Sequence, residues 1–212
     1  MRDNGRLMIW FPPQAGRQYL IGVDPAGGGS EGDYSSAEVV ERRSGIQCAE
    51  LHGHFPPREL ATKLIELANY YCGALLVVER NNHGHGVLAH LQQLCYPNVF
   101  RQGGQDGWFT SAVSRPAMVE TLAAVLAEEP ELFRSRRLLN EFRTFVRHAD
   151  GKSAAIGGAH DDCVMAMAIA LAARRDLAGK ISSVGTIDLA SLPRRGEFWR
   201  CSSVTSKNRD SG

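Results

Sequence analysis

The sequence predicts an α/β fold in which a central mixed β-sheet is flanked by helices. Two short, near-continuous apolar runs, "YLIGV" and "ALLVV", each end in an acid, Asp24 and Glu79, and read as buried strands. Segments of helical periodicity lie between and after them. At 212 residues the chain is long enough for one domain with a sizeable core.

Taken in order, residues 1–17 read as a lead-in and residues 18–24 as the first strand of the sheet. "SSAEVVERR" and "GIQCAELHGHF" are β-compatible and divided by Ser44-Gly45, which predicts a hairpin or meander, ended by Pro56-Pro57. "RELATKLIELANYYC" puts Leu60, Leu64, Leu67 and Tyr71 on one helical face, with Gly73 as the stop. The strand "ALLVVE" runs into the polar turn "RNNHGHG", then a short helix "VLAHLQQL" and a short strand "NVFRQ". "SRPAMVETLAAVLAEE" predicts a helix with Ser114 as N-cap and Pro116 in its first turn. "LLNEFRTFVRHADGKSAAIGG" predicts a short helix leading into a hairpin turned at Asp150-Gly151. "HDDCVMAMAIALAARRD" is a helix with an acidic start and a basic end, as the helix dipole favours. Beyond it the composition shifts to Ser, Arg, Lys and Gly without periodicity, so residues 18–178 read as the domain and 179–212 as a tail.

Lys and Arg number 24 against 23 Asp and Glu, a net charge of +1, so a nucleic-acid surface has to be a local patch. The five cysteines are odd in number, widely spaced and without a CxxC pair, which argues against a disulfide framework or zinc knuckle and for a reducing compartment. No apolar run approaches the roughly 18 residues of a membrane span, and the first residues lack a secretory signal, so a cytoplasmic protein with no membrane partner is expected.

The loop "GVDPAGGGSEGD" invites a nucleotide-binding reading. A P-loop requires a lysine that this loop lacks, and a dinucleotide loop opens a helix, whereas strand-like sequence follows here. The loop instead holds Asp24 and Asp33 at its two ends. Asp24, Glu79 and the pair Asp161 and Asp162 all sit at the ends of elements, where a buried scaffold holds carboxylates rigidly. Each alone reads better as a cap or a solvated loop acid. Together they match what magnesium or manganese requires, and two such ions roughly 3.5–4 Å apart clamp the attacking and leaving oxygens of a phosphodiester.

The order strand (Asp24), strand, strand, helix, strand (Glu79), helices and a final acidic helix resembles the RNase H-like nucleases. More narrowly, "YLIGVDPAGGGSEGDYSSAEVV", "ALLVVERNNHG", "GWFTSAVSRPAMVETL" and "EFRTFVRHADGKSAAIGGAHDDCVMAMAIALA" resemble the C-terminal nuclease domain of the large terminase subunit of tailed phages and herpesviruses. The resemblance implies a metal-dependent DNA endonuclease of viral genome packaging with little sequence specificity. It implies two Mg2+ or Mn2+ ions held by the catalytic acids Asp24, Glu79, Asp161 and Asp162, with Asp33 as an auxiliary acid. Double-stranded DNA is the implied partner, alongside a portal protein, a small terminase subunit and a separate ATPase motor, in the host cytoplasm. No Walker A motif occurs, so an isolated nuclease domain or a truncated prophage gene product is expected, without ATP-driven translocation. Asp161 and Asp162 lie about 100° apart on an ideal helix and cannot point alike. Asp161 reads as the principal ligand and Asp162 as its support, while His160 reads equally as orienting the attacking water or as a plain residue at the helix start.

Within the same fold, a Holliday-junction resolvase or transposase-like nuclease shares strand-end acids and an acidic last helix. A catalytically silent portal or DNA docking module is the reading from outside the enzymes. "HGH" occurs at His52–His54 and at His83–His85, and i, i+2 histidines on a strand share a face as zinc ligands do, but the sequence supplies no further ligand to either pair. "RSRRLLNEFR", Arg80 and Arg115 read either as solvated surface or as a phosphate-contacting edge.

Overall fold

The computed structural model describes residues 5–28, 33–147, 153–157 and 159–183. Its core is a five-stranded mixed sheet of β1 (Leu7–Ile9), β2 (Tyr19–Asp24), β3 (Ser35–Glu41), β4 (Gln47–Gly53) and β5 (Leu75–Val78), in the order β1-β4-β3-β2-β5. β2 pairs with β5 in parallel, and the other pairings are antiparallel. β2, β3 and β4 are buried nearly throughout, which the apolar run of β2 predicts for a strand covered on both faces but the Ser, Glu, Gln and His of β3 and β4 do not.

One face packs Ile21, Val23, Val39 and Val78 against α1 (Pro57–Tyr70) and α2 (Gly84–Gln93). The other packs Leu20, Val40 and Val77 beneath α3 (Ser114–Glu128), α4 (Arg136–Thr144) and the 22-residue α5 (Asp162–Ser183). Cys163 to Leu171 are buried on every side, which explains the apolar, small-residue composition of α5: it is a core helix, not a surface one. Gly22 lets it lie close on β2, because a Cβ there would collide with the Ala166 carbonyl and the Ala170 backbone. Short ribbons complete the fold, β6 (Arg101–Gln102) with β7 (Gln105–Asp106) and β8 (Phe145–Arg147) with β9 (Ser153–Ala155).

The central mixed sheet flanked by helices agrees with expectation, and several boundaries differ. Residues 7–9 of the lead-in form the edge strand β1, too short to carry a period-2 signal. The turn "RNNHGHG" gives its last three residues to α2, since Gly84 packs against the Glu79 carbonyl where a side chain would collide. "NVFRQ" contributes an isolated bridge at Val99 and the two residues of β6, not one continuous strand. Ser114 is the first residue of α3 with Val113 as its cap, because the hydroxyls of Ser111 and Ser114 bond each other's amides in a turn before the helix. α5 runs to Ser183, past residue 178. The Asp150-Gly151 turn and residues 184–212 lie outside the described residues. Among the described residues no helix is long and apolar enough to cross a membrane.

Candidate active site

Strand register brings the first two acids together. Val23 lies beside Val78 in the parallel pair, and the Glu79 amide donates to the Val23 carbonyl at 2.9 Å, so Asp24 and Glu79 leave adjacent strands at the same end. Val23 and Val78 point to the α1 face, so alternation turns both acids towards α5. The close seat of α5 over Gly22 then delivers Asp161 and Asp162 to the same place. The Asp161 carbonyl accepts the Met165 amide at 2.8 Å, which makes Asp161 the residue on which the helix starts.

Asp24, Glu79, Asp161 and Asp162 line one cavity of about 410 Å³, together with Asp33, Tyr34, His83 and Arg115. The Arg115 guanidinium pairs with Asp161 at 3.2 Å. Burial, then the carboxylates of Glu79, Asp162 and Asp161, hold Asp24 well above the usual aspartate range, with Arg115 pulling the other way. Asp162 is pushed up to about 7, first by burial and then by Glu141, Asp33 and Asp161, against the lowering effect of a hydrogen bond from the Tyr34 amide. His160 Nδ1 lies 3.6 Å from Asp162 Oδ2, a buried oxygen with no hydrogen-bond partner. Mutually repelling carboxylates and an orphaned anionic oxygen in a water-accessible cavity suit a hard divalent cation.

The remaining sequence candidates divide. Arg115 joins the acids, but Arg80 bonds the Gln102 carbonyl at 3.2 Å and lies over the Phe109 ring. Arg137 of the "RSRR" run pairs with buried Glu50 on β4, and Arg134 stacks over Phe11. The Gly-rich loop leads into β3, not into a helix.

A polar layer that sequence reading missed adjoins the cavity. Register continues the row of Asp24 through Ser36 to His52, and the row of Gly22 through Glu38 to Glu50, all on the α5 face. Glu38, Glu50 and, on α4, Glu141 are buried. Polar residues at alternate positions, Ser36 and Glu38 in "SSAEVVE" and Glu50 and His52 in "QCAELHG", look like the solvent face of a strand; only α4 and α5 lying over them make it interior. Among the described residues, two groups bring three ligand atoms within 4.8 Å of one another: His52, Glu141 and Cys163, and Glu38, Glu50 and Cys163. Neither includes Asp24, Glu79, Asp161 or Asp162, whose arrangement is more open.

Among solved structures, the large terminase nuclease of thermophilic phage G20c with bound magnesium superposes with a TM-score of 0.64 at 22% identity, over 80% of this chain and 88% of that one. The same phage nuclease with bound cobalt gives 0.63 at 21%, with the same coverage. The nuclease domain of the Thermus phage P74-26 large terminase gives 0.60 at 21%, over 80% and 86%. The chain has the large terminase nuclease fold. It is thus RNase H-like, and the terminase nuclease fold covers most of the chain. No protein-family profile and no curated protein sequence matches.

Proposed function

We propose that this protein is a divalent-cation-dependent DNA endonuclease of the terminase nuclease type, with Asp24, Glu79, Asp161 and Asp162 as its catalytic, metal-holding acids. The observation that carries the reading is the convergence of these four side chains, from two strand ends and one helix start, on a single cavity. The fold match to nucleases solved with magnesium and cobalt supports it.

In this reading Asp24, Glu79, Asp161 and Asp162 would together hold two Mg2+ or Mn2+ ions, with Glu79 also placed to receive a proton from the attacking water. Bound ions would supply Lewis-acid stabilisation of the phosphodiester and a nucleophile at neutral pH. Asp24 and Glu79 are held by the register of β2 and β5, so their separation does not depend on a loop. Arg115, paired with Asp161 at the edge of the acids, would contact a DNA phosphate, a contact that carries no base information. His160 stands near Asp162, 3.6 Å from its Oδ2. The packaging partners, a portal ring, a small terminase subunit and an ATPase motor, belong to this proposal through the fold resemblance.

The test is conversion of supercoiled plasmid with Mn2+. Asp24→Asn is expected to slow it at least about 100-fold, the equivalent of roughly 3 kcal/mol of barrier. Cleavage by Asp24→Asn at the wild-type rate would remove the assignment.

A further inference from the structure

We propose that His52, Glu141 and Cys163 form a second metal site, for a zinc-class ion, beside the carboxylate cleft and chemically distinct from it. The four acids of the cleft offer only oxygen, whereas this group offers a ring nitrogen, a carboxylate oxygen and a sulfur, the donor set of a borderline-soft ion. His52 belongs to the first "HGH" motif, whose missing partners arrive from other elements: His52 from β4, Glu141 from α4 and Cys163 from α5.

The three ligand atoms lie within 4.8 Å of one another, and the residues are 9%, 7% and 0% exposed. Zinc–ligand bonds of about 2.0–2.3 Å place tetrahedral ligands roughly 3.5 Å apart, so each atom needs to move by less than about 1 Å. Glu141 Oε2 is already fixed by the amides of Cys163 and Val164 at 2.8 and 3.0 Å, and Ser36 donates to Cys163 Sγ at 3.4 Å. These contacts orient two ligands without needing the ion.

Charge gives an independent indication. Glu38, Glu50 and Glu141 surround the Cys163 thiol, and Arg137 is the cation paired with Glu50. Glu38 is fully buried, and its Oε1 has no hydrogen-bond partner. A cluster this rich in buried carboxylates is costly, and a dication bound in place of the thiol proton would make it one unit less negative. A cavity of about 530 Å³ lined by Tyr34, His52, Arg137, Glu141 and His160 provides entry, with the Tyr34 ring stacked on His52 at 4.4 Å. An ion there would tie β4 and α4 to the start of α5, where Asp161 and Asp162 begin the helix.

The test uses the full chain, stripped of metal and titrated with Co2+ as a spectroscopic stand-in. One equivalent should produce thiolate-to-cobalt charge-transfer absorption, displaced by zinc. Cys163→Ser should abolish the band, His52→Ala should weaken cobalt binding at least about tenfold, and Asp24→Asn should keep the band, which separates this site from the cleft. No thiolate band in the wild type would overturn the proposal without recourse to any variant. A band that survives Cys163→Ser would overturn it too, assigning the cobalt to another cysteine.

Discussion

Asp162 shows how one side chain is tuned by what lies around it. Its ordinary pKa of 3.8 rises to about 7 in the fold, so the proton is held more tightly when folded than when unfolded. Its stabilising contribution is full below the ordinary value and is lost as pH rises through the folded one. His52 works in the opposite sense: burial, then Arg137, His160 and His54, lower it from 6.5 to about 3, so its effect is confined to lower pH. Above about pH 6.5 the histidine drops out, and the raised carboxyls, Asp162 with Asp24, Glu38 and Glu141, set the slope. With a chelator present, the Tm of the wild type should therefore fall between pH 6.5 and 8, and Asp162→Asn should fall less. Parallel curves would show that Asp162 does not carry the strain. Asp24, Glu79, Asp161 and Asp162 were all legible as residues, because each follows or opens a recognisable run. Arg115 was legible only as a cation; its pairing with Asp161 spans 46 positions and has no local signal.

Among the strands and helices, long amphipathic or uniformly apolar runs were readable, as was the hairpin of β8 with β9, whereas the edge strand β1 and the β6–β7 ribbon were not. Leu60, Leu64 and Leu67 mark α1 because helix burial follows from a face of 3.6-residue period. β1, β6 and β7, of two or three residues, are defined by their partners. The buried Glu38 and Glu50 were hidden for the same reason, since their burial is decided by α4 and α5. The contact of α5 with β2 is the joint on which the acids depend. Gly22→Ala should destabilise the fold by about 1–3 kcal/mol through overpacking and, because it lifts the start of α5 from Asp24, reduce metal-dependent cleavage more than stability alone accounts for. Gly157→Ala, with open space around the glycine, should do neither. Chemical denaturation and plasmid conversion on both variants check the pair.

For the chain in its entirety, a net charge of +1 leaves no global attraction to DNA. On the proposed reading, binding would depend on a few local cations, Arg115 among them. In an Asp24→Asn background with metal withheld, chosen to suppress the proposed cleavage, the logarithm of DNA affinity should fall linearly with the logarithm of salt, by about 0.9 per phosphate neutralised. Adding Arg115→Ala should make that slope shallower by about 1 and should act alike on unrelated sequences. A flat salt response, or marked preference for one sequence, would contradict backbone contact. A preference for four-way junctions over linear duplex would favour the resolvase reading, which the same fold allows.

The joint assignment of Asp24, Glu79, Asp161 and Asp162 is tested most directly by a crystal soaked in Mn2+ and measured for anomalous scattering. Strong peaks should lie in the cavity between Asp24 and the other three carboxylates, and they should be lost in Asp24→Asn crystals soaked alike. Peaks elsewhere with none beside Asp24, or equal peaks in the variant, would mean that these acids do not hold the metal.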